Sequence, residues 1–212
     1  MPSRSSSQRH SRSPIRYDCL VSDVIAFVLA GGRSSRMGAD KALLDFDNQK
    51  LLERALRSVS SVAGKSYIVG SKQRYGSFGE VVEDIYPGCG PLGGIHAALT
   101  ATSTDLNLIL SVDMPLMTAD FLRWLLDQAA ATEDSIVVPD IAGGLQPLCA
   151  TYRRSVVNMA ERALQAGDYK IGHLFSQLPT RILREPEILA AGFAAAIFQN
   201  VNTPQEYAQC RR

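Results

Sequence analysis

One segment near the start of the chain combines glycines with basic side chains directly after an apolar run. Residues 24–30 read VIAFVLA, and the segment that follows carries Gly31, Gly32, Arg33, Arg36 and Lys41. Glycines let the backbone approach a ligand without a Cβ, and successive amides can form a concave anion-binding surface. Lysine adds a compact charge that suits phosphate oxygens. The segment predicts a phosphate-binding loop with Lys41 on the phosphates; the alternative is a glycine turn with solvated basic residues.

This loop differs from two common nucleotide-binding motifs. No Gly-Lys-Ser or Gly-Lys-Thr follows the glycines, as it would in a Walker loop, and the GxGxxG spacing of a dinucleotide fold is missing. A kinase or a dehydrogenase is therefore disfavoured.

A carboxylate follows a second apolar run. Asp113 comes after residues 106–112, LNLILSV, and precedes Met114 and Pro115. In open α/β sheets ligands bind beyond the carboxyl ends of the strands. Mg²⁺ prefers a few carboxylates together with phosphate oxygens and water, so one aspartate and a triphosphate can complete its coordination. We therefore expect Asp113 to bind Mg²⁺; the alternative is that it begins a turn, as Asp often does.

Two further segments point toward the same edge of the sheet. Asp84 follows a short β-prone stretch, where its carboxylate can either accept hydrogen bonds from a ligand or hold a loop through backbone amides. Residues 90–95, GPLGGI, open a predicted helix whose free amides favour an anion. Gly93 and Gly94 are accordingly candidates for holding the acceptor, and ordinary helix initiation with close packing is the equal alternative.

Apolar strands and amphipathic helices alternate along most of the chain. Thr118 is predicted to cap a helix with Asp120 in its first turn, and Gly167 is predicted to end a later helix. Further predicted strands include residues 146–152, QPLCATY. The alternation predicts an α/β fold with a mostly parallel central sheet and helices on both faces.

Length and composition limit the kind of protein. The chain has 212 residues, 46% of them hydrophobic, which suits one globular domain. A net charge of +1 gives no field for gripping nucleic acid, and no apolar run approaches the roughly 20 residues that span a bilayer. The four cysteines are far apart, which favours free thiols in a reducing compartment. We expect a cytoplasmic protein that binds neither nucleic acid nor membrane.

The first residues differ in composition from the rest. Residues 1–22 are rich in Ser and Arg with few apolar side chains, so they cannot offset the entropy of ordering by burial. We interpret residues 1–22 as a flexible extension and residues 23–212 as the domain. A nucleic-acid arm or a transit-like peptide is the alternative for the extension.

The motifs together resemble those of the molybdenum cofactor guanylyltransferase family, usually called MobA. The pattern Leu-Ala-Gly-Gly-x-x-x-Arg-Met-Gly-x-x-Lys at residues 29–41 is similar to the family signature. Glu-Asp at 83–84, Gly-Pro-Leu-Gly-Gly at 90–94, Asp-Met-Pro at 113–115, Gln-Pro-Leu at 146–148 and Asn-Val-Asn-Thr-Pro at 200–204 resemble family blocks in the family's order. The resemblance covers the chain from about residue 24 to its end and implies a Rossmann-like fold of the nucleotidyltransferase type.

The resemblance implies a role for each matching residue. Catalysis would fall to Arg36, Lys41 and Asp113, with Asp113 as the metal ligand for Mg²⁺. GTP would contact Leu29, Ala30, Gly31, Gly32, Lys41, Asp84 and Asp113. The acceptor would contact Gly93, Gly94, Asn200 and Asn202. For the asparagines the alternative is structural, because residues 203–206, TPQE, form a capping box that would start a last helix regardless of function.

The implied reaction is transfer of GMP from GTP to the molybdenum-pterin cofactor, giving the guanine dinucleotide cofactor and pyrophosphate. Molybdoenzyme apoproteins or their chaperones would be further partners. Two alternatives stay open: a nucleotidyltransferase of the same fold that uses CTP or a sugar phosphate, and a non-catalytic carrier of the cofactor.

Overall fold

The computed structural model describes residues 23–31 and 40–201. The predicted extension over residues 1–22 lies outside the described residues, and so does the predicted last helix. The same holds for Gly32, Arg33, Arg36 and Asn202.

The first strand, β1 (Val24–Leu29), lies in the middle of the main sheet and is buried on both faces. Successive side chains of a strand point to opposite faces. Accordingly Val24, Ala26 and Val28 belong to the apolar core on one face, whereas Ile25, Phe27 and Leu29 belong to the core on the other. The uninterrupted apolar run in the sequence is therefore explained by a strand with a core on each side.

The strands form one large sheet whose order is β10-β7-β9-β6-β1-β4-β5, with β8 paired to β7. Their bounds are β4 (Lys65–Val69), β5 (Val81–Val82), β6 (Leu106–Ser111), β7 (Ile136–Ile141), β8 (Gly144–Leu145), β9 (Cys149–Arg153) and β10 (Thr180–Arg184). The pairs of β1 with β4 and β6, of β4 with β5, and of β7 with β10 are parallel. The predicted mostly parallel α/β sheet is thus confirmed.

The strand β9 is the exception, because it runs antiparallel to both β6 and β7. It is reached from β7 through a tight hairpin in which Ala142 and Gly143 adopt positive φ angles of 51° and 77°. A parallel strand would need a crossover connection of about a dozen residues, and the segment between β7 and β9 is too short for one. The alternation predicted from the sequence therefore breaks at this point.

Helices cover both faces of the sheet. On one face lie α1 (Leu51–Ser60) and α4 (Ala119–Ala130), and on the other lie α3 (Gly90–Ala101) and α5 (Val157–Gln165). Thr118 caps α4 by accepting a hydrogen bond from the Phe121 amide at 3.3 Å, with Asp120 in the first turn, as predicted. Gly167 follows α5 with φ of +74°, a conformation that suits glycine at a helix end.

Several short elements complete the described part of the chain. They are the helices α2 (Lys72–Tyr75), α6 (Gly172–Gln177) and α7 (Glu185–Ala190), the hairpin of β2 (Asp45–Phe46) with β3 (Gln49–Lys50), and the 3-10 helices Lys41–Leu43, Arg154–Val156 and Ala195–Phe198. Sequence analysis did not predict α7 or the small hairpin. Among the residues that the structure describes, no helix is long and apolar enough to cross a lipid bilayer.

A buried leucine and an exposed leucine give a matched test of packing. Leu99 in α3 is fully buried, whereas Leu189 in α7 is 50% exposed. Leu99→Ala should lower the free energy of unfolding by about 3 kcal/mol, since it removes buried methyl groups and leaves a cavity. Leu189→Ala should cost less than about 1 kcal/mol, because that side chain is already half in water. Urea denaturation followed by circular dichroism measures both, and equal costs would contradict the assignment of Leu99 to the core.

Candidate active site

Three parallel strands end side by side at one edge of the sheet. The Val112 amide donates to the Leu29 carbonyl at 3.1 Å, and the Ala30 and Gly31 amides donate to the Val69 carbonyl at 3.0 and 3.2 Å. The ends of β1, β4 and β6 are therefore locked together. These bonds also engage the Ala30 and Gly31 amides, so the anion-binding surface predicted from successive loop amides does not include these two.

Lys41 and Asp113 meet at this edge although they are far apart in the sequence. Lys41 Nζ lies 3.0 Å from Asp113 Oδ2, and the two side chains are only 15% and 19% exposed. Lys41 begins a 3-10 helix that Asp40 caps by accepting a hydrogen bond from the Ala42 amide at 3.1 Å. Partial burial strengthens an ion pair relative to one in water. The structure thus brings together the basic and acidic residues predicted to act on the phosphates and the metal.

The backbone around Asp113 is fixed from two directions. The Asp113 carbonyl accepts a hydrogen bond from the Val201 amide at 2.9 Å. Arg54 Nε in α1 donates to the Pro115 carbonyl, and its guanidinium lies 5.3 Å from the centre of the Phe46 ring. The turn that carries Asp113 is therefore anchored both to the core and to the end of the described chain.

A cavity of about 600 Å³ opens beside these strand ends. Its walls combine strand ends, the loop before α3 and the first turn of α3. They are formed by Leu29, Gly31, Val69, Asp84, Pro87, Gly88, Gly90, Pro91, Gly94, Ser111 and Leu148. Four residues predicted to bind ligands line it, namely Leu29, Gly31, Asp84 and Gly94. The volume and the mainly apolar walls with a few polar groups are typical of a small-molecule site.

Asp84 supplies a carboxylate to the cavity wall. It follows β5 and its side chain is exposed toward the cavity, yet the protein atoms around the carboxyl raise its pKa by partial burial. A carboxylate in such a place gains from any ligand that donates hydrogen bonds to it. The geometry therefore suits a donor-rich edge such as N1–H and N2–H of guanine.

The two glycines at the start of α3 have different surroundings. A Cβ on Gly94 would lie 3.2 Å from Leu29 Cδ2 inside the cavity, so glycine here keeps both packing and pocket space. A Cβ on Gly93 would lie 2.9 Å from the Tyr86 carbonyl oxygen, a contact that real Cβ atoms do not make. For Gly93 the structure thus favours close packing as the reason for glycine, and its role in acceptor binding stays a prediction.

Asn200 lies next to the residue that bonds to Asp113. Its Oδ1 atom is buried and has no hydrogen-bond partner among the described residues. Buried polar atoms are nearly always paired, so this unpaired oxygen indicates an unused hydrogen-bonding group. Its predicted companion Asn202 and the predicted loop residues Gly32 and Arg36 lie outside the described residues.

Sequence analysis missed several residues at the site. Ser111 and Leu148 line the cavity, and a neighbouring space of about 410 Å³ is walled partly by Arg74 and Tyr75. Tyr75 also contacts Asp40, as described below. Asp40 carried a usable signal, because an aspartate directly before a short helix is a typical N-cap. Tyr75 carried none, since Ala30 and Asp40, which its hydroxyl contacts, lie 45 and 35 residues away in the sequence.

Comparison with known proteins identifies the family. The MobA-like NTP transferase domain matches residues 26–182. A Clostridium perfringens protein named "Probable molybdenum cofactor guanylyltransferase" is 33% identical, covering 86% of this chain and 93% of its own length. A protein of the same name from Pelotomaculum thermopropionicum is 32% identical, covering 87% and 90%. The crystal structure of molybdopterin-guanine dinucleotide biosynthesis protein A from Archaeoglobus fulgidus superposes with a TM-score of 0.78 at 24% identity, covering 88% of this chain and 96% of that one.

The sheet, the site at its carboxyl edge and the matching domain define a nucleotidyltransferase with a Rossmann-like α/β fold. More particularly, the chain belongs to the MobA-like NTP transferase family that includes the curated molybdenum cofactor guanylyltransferases.

The raised pKa of Asp84 predicts how stability depends on pH. The native protein holds the Asp84 proton more tightly than the unfolded chain, whose carboxyl has a pKa near 3.8. The stability gained from this proton is present at low pH and is lost as pH rises through the interval up to the raised pKa. Asp84→Asn cannot ionise, so its melting temperature should rise relative to the wild type across this interval.

Melting temperatures measured from pH 3.5 to 7 would test this expectation. Above the raised pKa of Asp84, the difference in melting temperature between Asp84→Asn and the wild type should stay constant. Glu80→Gln removes one negative charge from an exposed residue near β5 and serves as the control. If the melting temperature of the wild type instead rose relative to that of Asp84→Asn as pH increased, the Asp84 carboxylate would be stabilised in the native state, contrary to the expectation.

Proposed function

We propose that this protein transfers GMP from GTP to the terminal phosphate of a molybdenum-bearing pterin, forming the guanine dinucleotide cofactor and pyrophosphate. The observation that carries the proposal is the pairing of Lys41 with Asp113 beside a cavity whose wall holds Asp84. The reaction needs a carboxylate that binds a metal, an ammonium that binds phosphates and a carboxylate that binds the guanine base. The relatives named as guanylyltransferases support the choice of substrates.

In this proposal GTP occupies the cavity between the end of β1 and the loop before α3. Leu29 and Gly31 line the floor with Ala30 between them, and Asp84 accepts the N1 and N2 hydrogens of guanine. Cytosine presents no such pair of donors, so Asp84 would favour guanine over cytosine. The triphosphate then extends toward Lys41, with Gly32 and Arg36 as further contacts from the loop.

The residues at the β6 end suit a bound Mg²⁺. Asp113 offers a hard carboxylate, and no group of three His, Cys, Asp or Glu side chains that could hold a metal exists among residues 23–31 and 40–201. Mg²⁺ bound through one or two carboxylates commonly takes its other ligands from phosphates and water. The donor set thus fits a metal that arrives with a nucleotide, and such a metal would supply charge neutralisation at the phosphates.

The protein's own contribution to the transfer is positioning and electrostatics. An oxygen of the acceptor phosphate attacks the α-phosphorus, a new P–O bond forms, and the bond to the β-phosphate bridging oxygen breaks to release pyrophosphate. Lys41 stabilises the negative charge that builds up on the phosphate oxygens, with Arg36 as its partner in the loop. Asp113 would hold a bound metal, and the partly buried setting strengthens the interactions of Lys41 and Asp113 with charged groups.

The acceptor would lie on the α3 side of the site. Gly94 leaves space at the cavity wall, and Asn200 has an unpaired oxygen near Asp113. Together with Gly93 and Asn202 these residues form the proposed acceptor contacts. We further propose that residues 23–212 form the catalytic domain, that residues 1–22 are an extension of it, and that the protein works in the cytoplasm and hands its product to molybdoenzyme apoproteins or their chaperones.

Pyrophosphate release tests the substrate assignment. Purified protein should release pyrophosphate with molybdenum cofactor, GTP and Mg²⁺, and should not do so when CTP replaces GTP. Release with CTP alone would replace the proposal by a cytidylyltransferase. Nucleotide binding without pyrophosphate release from either would support a carrier of the cofactor.

Variants test the assigned roles of the ion pair. Asp113→Asn and Lys41→Ala should each lower kcat by about 100-fold or more, because each removes a charge that acts on the transferring phosphate. Both proteins should stay folded, as circular dichroism would check, because neither side chain belongs to the two apolar cores. Asp120→Asn and Lys65→Ala make the same changes at exposed residues and should leave kcat within about twofold. Near-normal kcat in either site variant would refute its role.

A further inference from the structure

We propose that Tyr75 is a positioning residue, whose hydroxyl holds the Lys41 turn in place so that the Lys41 ammonium reaches the reacting phosphates. The proposal rests on the function proposed above. It assigns a role to a tyrosine of α2 that is neither a wall of the main cavity nor part of the glycine-rich segment.

The hydroxyl of Tyr75 touches the chain on both sides of residues 32–39. Tyr75 Oη lies 3.1 Å from the Ala30 carbonyl oxygen, and it lies 3.0 and 2.9 Å from Asp40 Oδ1 and Oδ2. The side chain is almost entirely buried, with 3% of the residue exposed. The hydroxyl therefore lies between the end of β1 and the residue directly before Lys41, within hydrogen-bond distance of acceptor oxygens on both.

Asp40 transmits this contact to Lys41. Its Oδ1 atom accepts a hydrogen bond from the Ala42 amide at 3.1 Å, which caps the 3-10 helix beginning at Lys41. A cap fixes the direction in which a helical turn leaves the preceding chain. Since Lys41 Nζ in turn reaches Asp113 at 3.0 Å, the series from Tyr75 through Asp40 ends at the ion pair.

The hydroxyl is a dependable donor to this carboxylate. A phenol has one proton, and the Asp40 carboxylate is the strongest acceptor within reach, so the bond is charge-assisted. Burial together with Asp40 raises the pKa of Tyr75 to about 12, which keeps the proton in place at any working pH. Arg74 also approaches Asp40 Oδ2 at 3.4 Å, but its side chain is 64% exposed and its contribution is small.

The ring is held where it is by a glycine at the end of β4. A Cβ on Gly70 would lie 2.8 Å from Tyr75 Cε2 and 3.4 Å from the Gly31 amide nitrogen. Glycine at this place therefore lets the ring pass close to the backbone and present its hydroxyl to Asp40. The strand ends of β1 and β4 and the Lys41 turn are all in contact with this one side chain.

Removing only the hydroxyl separates positioning from packing. Tyr75→Phe keeps the ring and its burial, and it should lower kcat for pyrophosphate release by about tenfold, less than the roughly 100-fold expected for losing Lys41 itself. The KM for GTP should change by less than about threefold, because the loss is felt mainly in the transition state. Tyr67→Phe makes the same change in β4, where the ring stacks on Phe27 at 5.5 Å, and should leave kcat unchanged.

A double variant tests whether Tyr75 acts through Lys41. In a Lys41→Ala background, Tyr75→Phe should lower the residual kcat by less than about twofold, since there is no ammonium left to position. Multiplicative effects of the two changes would overturn the proposal. Wild-type kcat in Tyr75→Phe, or an effect confined to KM, would overturn it as well.

A crystal structure of Tyr75→Phe keeps this test independent of the proposed reaction. The distance from Lys41 Nζ to Asp113 Oδ2 should lengthen beyond the ~4 Å limit of an ion pair, while Tyr67→Phe should keep the wild-type contact. If the wild-type protein releases no pyrophosphate, the proposed function fails. The distance from Lys41 Nζ to Asp113 Oδ2 then tests the positioning role of Tyr75 by itself. An unchanged pair in Tyr75→Phe would then refute its positioning role.

Discussion

The parallel pairing of β1 with β6 determines which side chains can meet in this protein. The two strands run in register from Val24 opposite Leu106 to Leu29 opposite Ser111, so both end at the same edge of the sheet. The segment leading to Lys41 leaves one strand, and Asp113 follows the other. Their 3.0 Å contact across 72 residues of sequence is a consequence of that register. A shift by one residue would turn every side chain of β1 to the opposite face and would break up both cores.

Because the strands that end at this edge of the sheet are mostly apolar, few polar side chains lie there. Each of these polar side chains therefore contributes more to the electrostatics of the site. Leu29, Val69 and Leu148 form an apolar part of the cavity wall. In such surroundings the effective dielectric constant is lower than in water, so charges there interact more strongly than they would in water. The same surroundings raise the pKa of Asp84, which makes its ionised form costly until a ligand donates hydrogen bonds to it.

The sequence predicts those parts of the molecule that local patterns specify. The apolar run at residues 24–30 contains a strand buried on both faces, as such runs favour, and the cap at Thr118 and the end at Gly167 followed from residue type alone. The convergence of Lys41 with Asp113 was expected because both follow strands of a parallel sheet. The antiparallel direction of β9 was missed, since a two-residue turn decides it. Tyr75 was missed because its partners lie 35 and 45 residues away and follow no periodic pattern.

Two glycines, Gly94 and Gly70, affect both the packing of the fold and the space at the candidate site. Gly94 lets α3 pack against Leu29 and also leaves space in the cavity, while Gly70 lets the Tyr75 ring approach the backbone beside Gly31. A methyl group at Gly94 would press on the Leu29 side chain, and one at Gly70 would collide with the Tyr75 ring. The helix α3 therefore approaches the sheet closely at Gly94, where it also forms part of the cavity wall. A glycine pattern in such a sequence marks close backbone approach, and a ligand site arises where that approach meets the carboxyl ends of the strands.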